Sequence, residues 1–301
     1  MVVELNSRTA HQKFNRAPYL LILPAIAFMA VFMAYPLCRV FVLSLQRNNP
    51  SKPYLNGFVG LGNFAELFQA GAFYQSLANS FKWVLLEVTF QLIAGMAAAL
   101  ILNQEFKGRG LVRTLTFIPW ALSGVLTAVI WSLIYNQHMG VLNDILIRLG
   151  FIEKGIAWTG NRGVVFGAVV LAELWRGIPF FAITLLAAMQ NISGDLYEAA
   201  KVDGCSAADR FRYITLPLLK ETIVLTTLLR AVWEFNSVDL IYSLTGGGPA
   251  GMTTTLSMYI ADQAIRTSNY GYGSAISVIS FVILTLFAVI YMKCTNFGKE
   301  S

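Results

Sequence analysis

The sequence predicts an all-α fold: a polytopic membrane protein with six transmembrane helices. Hydrophobic residues make up 56% of the 301 residues and charged residues only 13%, about half the charge of an average soluble domain. The apolar residues form long runs, each near the ~20 residues that a helix needs to cross the hydrocarbon core of a bilayer. Short polar segments that contain Lys and Arg separate these runs, as in membrane proteins with several spans.

The six predicted spans follow one another along most of the chain. They cover about residues 19–45, 77–102, 112–135, 164–189, 221–244 and 275–292. The first run is too long for the core of a signal peptide, so we expect it to be retained as a span. The predicted organisation is a polar N-terminal segment at 1–17, a membrane domain at 18–292 and a polar tail at 293–301.

The distribution of Lys and Arg predicts the orientation of the chain in the membrane. The N-terminal segment, the 103–113 turn, the 190–221 loop and the tail together hold 12 of these residues. The three loops on the opposite side hold 6. Because cytoplasmic loops carry the excess of positive charge, both termini and the 190–221 loop are predicted to be cytoplasmic (N-in, C-in). The same bias explains the net charge of +6, so no nucleic-acid partner is predicted.

Cysteine and histidine give no indication of a metal or cofactor site. Cys38, Cys205 and Cys294 are scattered and odd in number, so they predict no disulfide framework. His11 and His138 are too few and too far apart for a metal centre. The chain has no P-loop pattern that would bind ATP. No metal or cofactor is therefore predicted in this chain.

The polar interval after the fourth predicted span has a pattern of helix starts and a turn. Asp195 with Glu198 three residues later predicts a helix start, and Gly204 suits the left-handed turn that ends such a helix. Ser206 with Asp209 is a weaker form of the same start. Two short helices around a glycine turn cannot bury a core of their own, so the interval indicates a docking surface for a partner.

Polar and aromatic residues inside the spans indicate a polar face at membrane depth. Glu173, Gly177 and Phe180 share one face of the fourth span because their spacing is i, i+4, i+7. Trp233 and Ser237 share a face of the fifth. Ionisable groups at this depth are predicted to face protein or a wet cavity, because facing lipid is costly. Aromatic rings beside carboxylate and hydroxyl groups suit a sugar, whose C–H faces stack on rings and whose hydroxyls bond oxygens.

Two interpretations fit the other charged residues of these spans. Arg176 lies three residues after Glu173, and Arg230 lies four residues before Glu234, so each arginine is placed to pair with a carboxylate. Together with Asp239, they either form ion pairs that hold helices together or line the pathway. A proline in each of the third and fourth spans is predicted to loosen the backbone near the middle of the membrane.

The polar interval resembles the EAA loop of permease subunits of binding-protein-dependent ABC importers. The matching residues are Glu198, Ala199, Ala200, Gly204, Ile214, Leu216 and Pro217. The resemblance implies a type I ABC importer permease fold, with a short cytoplasmic coupling helix that docks in a cleft of an ATP-hydrolysing subunit. The residues that it assigns to ATPase coupling are Glu198, Ala199, Ala200, Asp203 and Gly204. Glu198 is expected to cap or pair within the docked loop, and Gly204 to allow the sharp turn.

A second motif extends the resemblance to the carbohydrate branch of these permeases. Leu244-Thr-Gly-Gly-Gly-Pro249, a Thr-rich segment and Tyr259 are similar to the larger permease of maltose importers and to glycerol-3-phosphate and sugar permeases. The likeness covers roughly residues 75–292. By motif position it implies that the substrate-binding residues are Trp120, Gly124, Glu173, Gly177, Phe180, Trp233, Glu234 and Ser237.

Several of these positions depart from the maltose permease. Trp120 stands where that permease has tyrosine, and Glu173, Glu234 and Ser237 stand where it has asparagine. Its extra N-terminal spans and large periplasmic insertion are also missing from this sequence. The resemblance therefore implies the place of the pocket but does not carry over the identity of the sugar.

The sequence thus predicts a non-catalytic, multi-pass permease subunit of an ATP-driven importer in the bacterial or archaeal inner membrane. The predicted substrate is a sugar, an oligosaccharide or a related polyhydroxylated solute. The predicted partners are a second homologous permease, two ATPase subunits that bind ATP and Mg, a periplasmic or lipid-anchored solute-binding protein and membrane lipid.

Two alternatives belong to other classes of protein. One is a proton-coupled secondary transporter with Glu234 or Asp239 as the proton relay. It would be supported by internal repeats at matched positions, and the sequence contains no clear ones. The other is an intramembrane enzyme with Glu173, Glu234 and Asp239 as acid–base groups. It would need a nucleophile or a metal constellation, and the sequence offers no convincing one.

Overall fold

The computed structural model describes residues 17–295 and residue 297. This part of the chain is mostly helical, as predicted. The one departure from an all-α fold within it is a two-stranded antiparallel hairpin of β1 (Gln46–Arg47) and β2 (Gly57–Phe58). The predicted N-terminal segment lies outside the described residues except for residue 17, and the predicted tail lies only partly within them.

The α-helices of the described residues vary in length from a single turn to a full membrane span. In chain order they are α1 (Ala17–Met29), α2 (Tyr35–Ser44), α3 (Gly62–Gln69), α4 (Gly71–Leu102), α5 (Arg109–Ala121), α6 (Gly124–Ile134), α7 (Val141–Arg148), α8 (Val165–Gln190), α9 (Gly194–Val202), α10 (Ala207–Arg210), α11 (Leu216–Leu218), α12 (Lys220–Phe235), α13 (Asp239–Thr245), α14 (Leu256–Ala261) and α15 (Tyr270–Cys294). Single π-helical turns lie at Ala30–Ala34, Phe211–Thr215 and Asp262–Arg266, and a 3₁₀ turn lies at Pro53–Leu55.

Four of the predicted spans are helices long and apolar enough to cross a membrane. The first runs through α1, the π-helical turn and α2 as Leu20–Ser44, and the others are α4, α8 and α15. Their composition explains their position, because a helix satisfies its own backbone hydrogen bonds and can expose apolar side chains to lipid. The sixth begins at Tyr270, five residues earlier than predicted.

The third predicted span is a bent pair of helices, so the prediction of one helix over 112–135 was wrong. α5 and α6 meet at an angle of 98°. Pro119 lies in the last turn of α5 and cannot donate a backbone hydrogen bond to the preceding turn. Leu122 is extended, and Ser123 begins α6 by accepting a hydrogen bond from the N–H of Leu126 at 3.3 Å. The predicted loosening therefore occurs at this break, whereas Pro179 lies within the unbroken α8.

The fifth predicted span is also divided, and the prediction of one helix over 221–244 was wrong. α12 ends at Phe235, and α13 begins at Asp239. Asn236 donates its side-chain N–H to the carbonyl of Val232 at 2.8 Å, which offers the backbone an alternative to a further helical turn. Val238 then has φ −128°, outside the helical range.

The core is built around the contact between α4 and α8. Gly95 allows this contact, because a Cβ there would meet the side chain of Phe181 and lie 3.0 Å from the backbone N of Ala182. One buried apolar cluster surrounds Trp83 and another surrounds Leu185. α12 packs across both helices, and α2 and α3 pack on α15. The polar residues of the candidate site lie between the two clusters.

Candidate functional site

The interrupted helix pairs α5–α6 and α12–α13 meet each other at their breaks. Asp239, the first residue of α13, accepts a hydrogen bond from the backbone N–H of Gly124, the first residue of α6, at 3.0 Å. α6 and α13 pack together. The carboxylate thus faces the positive end of a helix dipole, which favours a negative charge there. Gly124 is required at this contact, because a Cβ would occupy the position of the Asp239 carboxylate.

A buried ion-pair network lies beside this junction. Glu173 is fully buried and accepts two hydrogen bonds from Arg176, from Nε at 2.9 Å and from Nη2 at 2.8 Å. Arg230 reaches the same carboxylate from α12 at 3.0 Å and pairs with Glu234 at 2.6 Å. Of the two interpretations, the structure therefore shows ion pairs for Arg176 and Arg230.

α4 completes the network with three residues that the sequence analysis missed. Arg230 donates from Nε to Gln91 at 2.7 Å, and Gln91 donates to Glu87 at 2.9 Å and to Glu234 at 3.2 Å. Trp83 donates its indole N–H to Glu234 at 3.1 Å. The three α4 residues recur every four positions, which places them on one helix face. That spacing of polar and aromatic groups within an apolar run was the pattern that could have identified them.

The network supports the aromatic face predicted for the pathway. Gly177 leaves room for it, since a Cβ there would collide with Gln91 and Arg230. The Arg230 guanidinium lies 5.8 Å from the ring centroid of Phe180. That ring is 5.4 Å from the ring of Trp233. The charged groups thus fix the helices that carry the aromatic rings.

The structure divides the predicted substrate-binding residues into three groups. Glu173 and Glu234 are buried members of the network, and Gly177 is buried directly against it. The aromatic and hydroxyl residues outside the network are Trp120, Phe180, Trp233 and Ser237, of which Phe180 and Trp233 are in ring contact. Trp120 is 37% and Trp233 48% exposed, whereas the hydroxyl of Ser237 is buried without a hydrogen-bond partner among the described residues. Gly124 lies at the junction of the breaks. The binding role of each residue stays a prediction.

The polar interval has the predicted form of two short helices around a glycine turn. Gly204 has φ +79°, in the left-handed region. α9 begins earlier than predicted, because its N-cap is Ser193, which accepts a hydrogen bond from the N–H of Asp195 at 3.3 Å. The predicted cap at Asp195 was therefore wrong.

The second short helix starts as the sequence predicted. Ser206 and Asp209 form a reciprocal capping box at the start of α10. The hydrogen bonds from the hydroxyl and backbone N–H of Ser206 hold the pKa of the Asp209 carboxyl below its ordinary value. A lowered pKa means that this carboxylate stabilises the cap at neutral pH, and that its contribution is lost as the pH falls through the lowered pKa.

The interval presents an exposed surface to a partner. Of the residues assigned to coupling, Glu198, Ala199, Asp203 and Gly204 are exposed and Ala200 is buried. Val202 is 88% exposed and Leu196 is 47% exposed. Apolar side chains left uncovered beside charged ones are typical of protein contact surfaces. Tyr197 fixes α9 to the following segment through a 2.9 Å hydrogen bond between its hydroxyl and that of Thr215.

Interrupted helices that meet beside buried charges, together with an exposed loop between apolar helices, are typical of membrane transport proteins. The chain belongs to the family described as "binding-protein-dependent transport system inner membrane component", which matches residues 91–294. It is thus an inner-membrane component of a transport system that depends on a binding protein.

Known relatives agree with this family. The chain is 39% identical over 300 residues to the trehalose/maltose transport system permease protein MalF of Thermococcus litoralis, covering 98% of this chain and 99% of the relative. It is 35% identical over 279 residues to the sulfoquinovosyl glycerol transport system permease protein SmoG of Agrobacterium fabrum, covering 91% of this chain and 88% of the relative.

A solved structure has the same fold. It is that of a bacterial alginate ABC transporter in complex with an alginate pentasaccharide-bound periplasmic protein. The TM-score is 0.82 with 23% identity, covering 94% of this chain and 96% of that one. At that identity the likeness is evidence for the fold alone.

Proposed function

We propose that this chain is a permease subunit of an ATP-driven ABC importer that moves a sugar, an oligosaccharide or a related polyhydroxylated solute across the inner membrane. The observation that carries the proposal is the aromatic and polar face at the junction of two divided spans. A relative at 39% identity is named for the transport of trehalose/maltose, which supports the same substrate class.

The proposed pathway runs along this face. Trp120, Phe180 and Trp233 stack on the C–H faces of sugar rings, and Ser237 supplies a hydroxyl at membrane depth. Glu173 and Glu234 act from inside the network, where they hold the helices that carry the aromatic rings. The six spans and the N-in, C-in orientation belong to this proposal, with the bent pair α5–α6 as the third span and α12–α13 as the fifth.

The remaining partners are proposed on the basis of exposed surfaces. The 190–221 loop docks on one of two ATPase subunits, which bind ATP and Mg and carry out the hydrolysis. A second homologous permease covers the exposed aromatic face, and a periplasmic or lipid-anchored binding protein delivers the solute. This chain is then the translocating, non-catalytic subunit.

Purification and reconstitution test the proposal. The tagged chain is purified from its native membrane, its stoichiometric partners are identified, and the complex is reconstituted with ATP inside liposomes. We expect ATPase subunits to copurify, and labelled trehalose or maltose to enter only with ATP and the binding protein. Uptake without an ATPase that is abolished by a protonophore supports the secondary transporter instead. Conversion of the solute to a new compound supports the enzyme.

A further inference from the structure

Asp239 has an uncommitted carboxylate oxygen at the junction of the divided spans. Its Oδ2 accepts the hydrogen bond from Gly124, whereas its Oδ1 has no hydrogen bond within the described residues. The side chain is exposed, unlike the other carboxylates at this level, because Glu87, Glu173 and Glu234 are all buried. Asp239 is therefore the carboxylate of this region that a solute can reach.

The surroundings of Asp239 supply the other groups that bind a sugar. Ser237, two residues earlier, has a buried hydroxyl without a partner among the described residues. Trp233 lies one further turn back on α12, and Trp120 lies four residues before Gly124 on the other side of the α5–α6 break; both indoles are exposed. A carboxylate oxygen accepts hydrogen bonds from hydroxyls more strongly than a neutral oxygen does.

The arginine side chains nearest to Asp239 are already engaged with carboxylates. Arg176 and Arg230 are paired with buried carboxylates, and Arg176 also attracts the Asp239 carboxylate electrostatically without a hydrogen bond to it. Lys82, the nearest lysine on α4, lies instead over the ring of Phe166 in the first turn of α8, with its Nζ 4.2 Å from the centroid. Within the described residues, these cations are therefore engaged with buried carboxylates, and Asp239 presents an accessible carboxylate oxygen that would repel an anionic group placed beside it.

We propose that Asp239 contacts the substrate directly, accepting hydroxyl hydrogen bonds at Oδ1, and that it selects uncharged sugars over acidic ones. The proposal rests on the proposed function, since it names the chemical class of sugar that the same site takes. The hydrogen bond to Gly124 holds the carboxylate at the junction, so the two oxygens have separate roles.

Equilibrium binding to the purified complex in nanodiscs, without the binding protein, tests the proposal. Saturation-transfer NMR titrations use maltose, trehalose and maltobionate, which is maltose oxidised to a carboxylate at its reducing end. We expect the wild type to bind at least one neutral disaccharide, and to bind maltobionate at least about tenfold more weakly than maltose. Asp239→Asn keeps an oxygen for Gly124 but removes the charge. It should weaken maltose binding by about tenfold and abolish most of the discrimination against maltobionate.

Two further variants separate contact from structural support. Asp239→Glu retains the charge and should retain the discrimination even if binding weakens. Asp144→Asn, in an exposed ion pair on α7, should change neither affinity. Equal weakening of both ligands by Asp239→Asn, with an unchanged ratio, would show a purely structural role and overturn the inference. Equal binding of both ligands by the wild type would also overturn it. Failure of the wild type to bind either neutral disaccharide would count instead against the proposed function.

Discussion

Burial determines what the charged residues of this chain do. Glu173, Glu234 and Arg230 are each 5% exposed or less, and a charge in such surroundings is tolerated only when it is paired and hydrogen-bonded. Arg230 achieves this for both carboxylates at once, since its Nη2 contacts one oxygen of each. The network therefore depends on one guanidinium more than on any single carboxylate.

Arg230→Met should destabilise the protein by about 3–5 kcal/mol, because it leaves buried carboxylates without their cation. Arg266→Gln is the matched control. Arg266 forms an exposed pair with Asp262, and loss of such a pair costs ~0–1 kcal/mol. Denaturant unfolding in detergent micelles measures both variants. Adding Glu234→Gln to Arg230→Met should recover part of the loss, and equal stability of the two arginine variants would contradict the role assigned to the network.

Spacing within one helix allowed two pairs of this network to be predicted as one of two interpretations. Arg176 lies three residues after Glu173 and Arg230 lies four residues before Glu234, and both pairs are present in the structure. The contacts of Arg230 with Glu173 and Gln91 join residues 57 and 139 positions apart, and spacing within one helix carries no information about such contacts. Only the packing of α4, α8 and α12 brings these groups together.

Whole helices show the same difference between what a single segment of sequence predicts and what only tertiary packing determines. Four of the six predicted spans are continuous helices, because apolar length is sufficient to identify a helix that crosses a bilayer. The divided spans contain enough apolar residues to give the same pattern, yet Pro119 and the polar residues around Asn236 interrupt them. Asp239 then stabilises both breaks together through Gly124. A tertiary contact between two breaks is not visible in the hydropathy of either one.

Gly204→Asp should leave the transporter complex assembled and abolish transport. The substitution places a side chain at φ +79°, where a Cβ is strained by about 1–2 kcal/mol, and adds a charge to the proposed docking surface. No other atom lies within 4 Å of the added Cβ, so the core is unaffected. Copurification of the ATPase subunits and ATP-driven sugar uptake in proteoliposomes measure the two properties.

Gly194→Asp in the same loop is the control for that substitution. Gly194 also has open space around it but lacks a positive φ, and an acidic residue is favourable in the first turn of a helix. This variant should transport normally. Normal uptake by Gly204→Asp would contradict the proposed role of this turn in coupling. Loss of uptake in both variants would show that the added charge, and not the backbone conformation, causes the effect.

At the scale of the whole molecule, two sets of apolar and aromatic side chains are not buried by the rest of the described chain. The most apolar part of Leu20–Ser44 has no buried residue, which suits contact with lipid or a second subunit. The indoles of Trp120 and Trp233 are also exposed. A pathway for a polar solute must be closed to lipid, so these exposed indoles are consistent with one half of a pathway that a second permease completes.

The orientation of the molecule can be tested with a native cysteine. Cys205 directly follows Gly204 and is exposed, so in a chain with Cys38→Ser and Cys294→Ser it reports the side on which the 190–221 loop lies. A membrane-impermeant maleimide should label it in inside-out vesicles and not in intact cells, because the distribution of Lys and Arg predicts a cytoplasmic position for this loop.

Two further measurements complete the test of orientation and docking. Adding Ser51→Cys to the chain from which all three native cysteines are removed should give labelling from outside, since residue 51 is exposed on the opposite loop. Bound ATPase subunits should slow the labelling of Cys205, and their removal from inside-out vesicles should restore it, because the proposed docking surface includes Gly204. Labelling of Cys205 in intact cells would place the loop outside. No nucleotide-hydrolysing subunit could then reach it, and the proposed mechanism would fail together with the orientation.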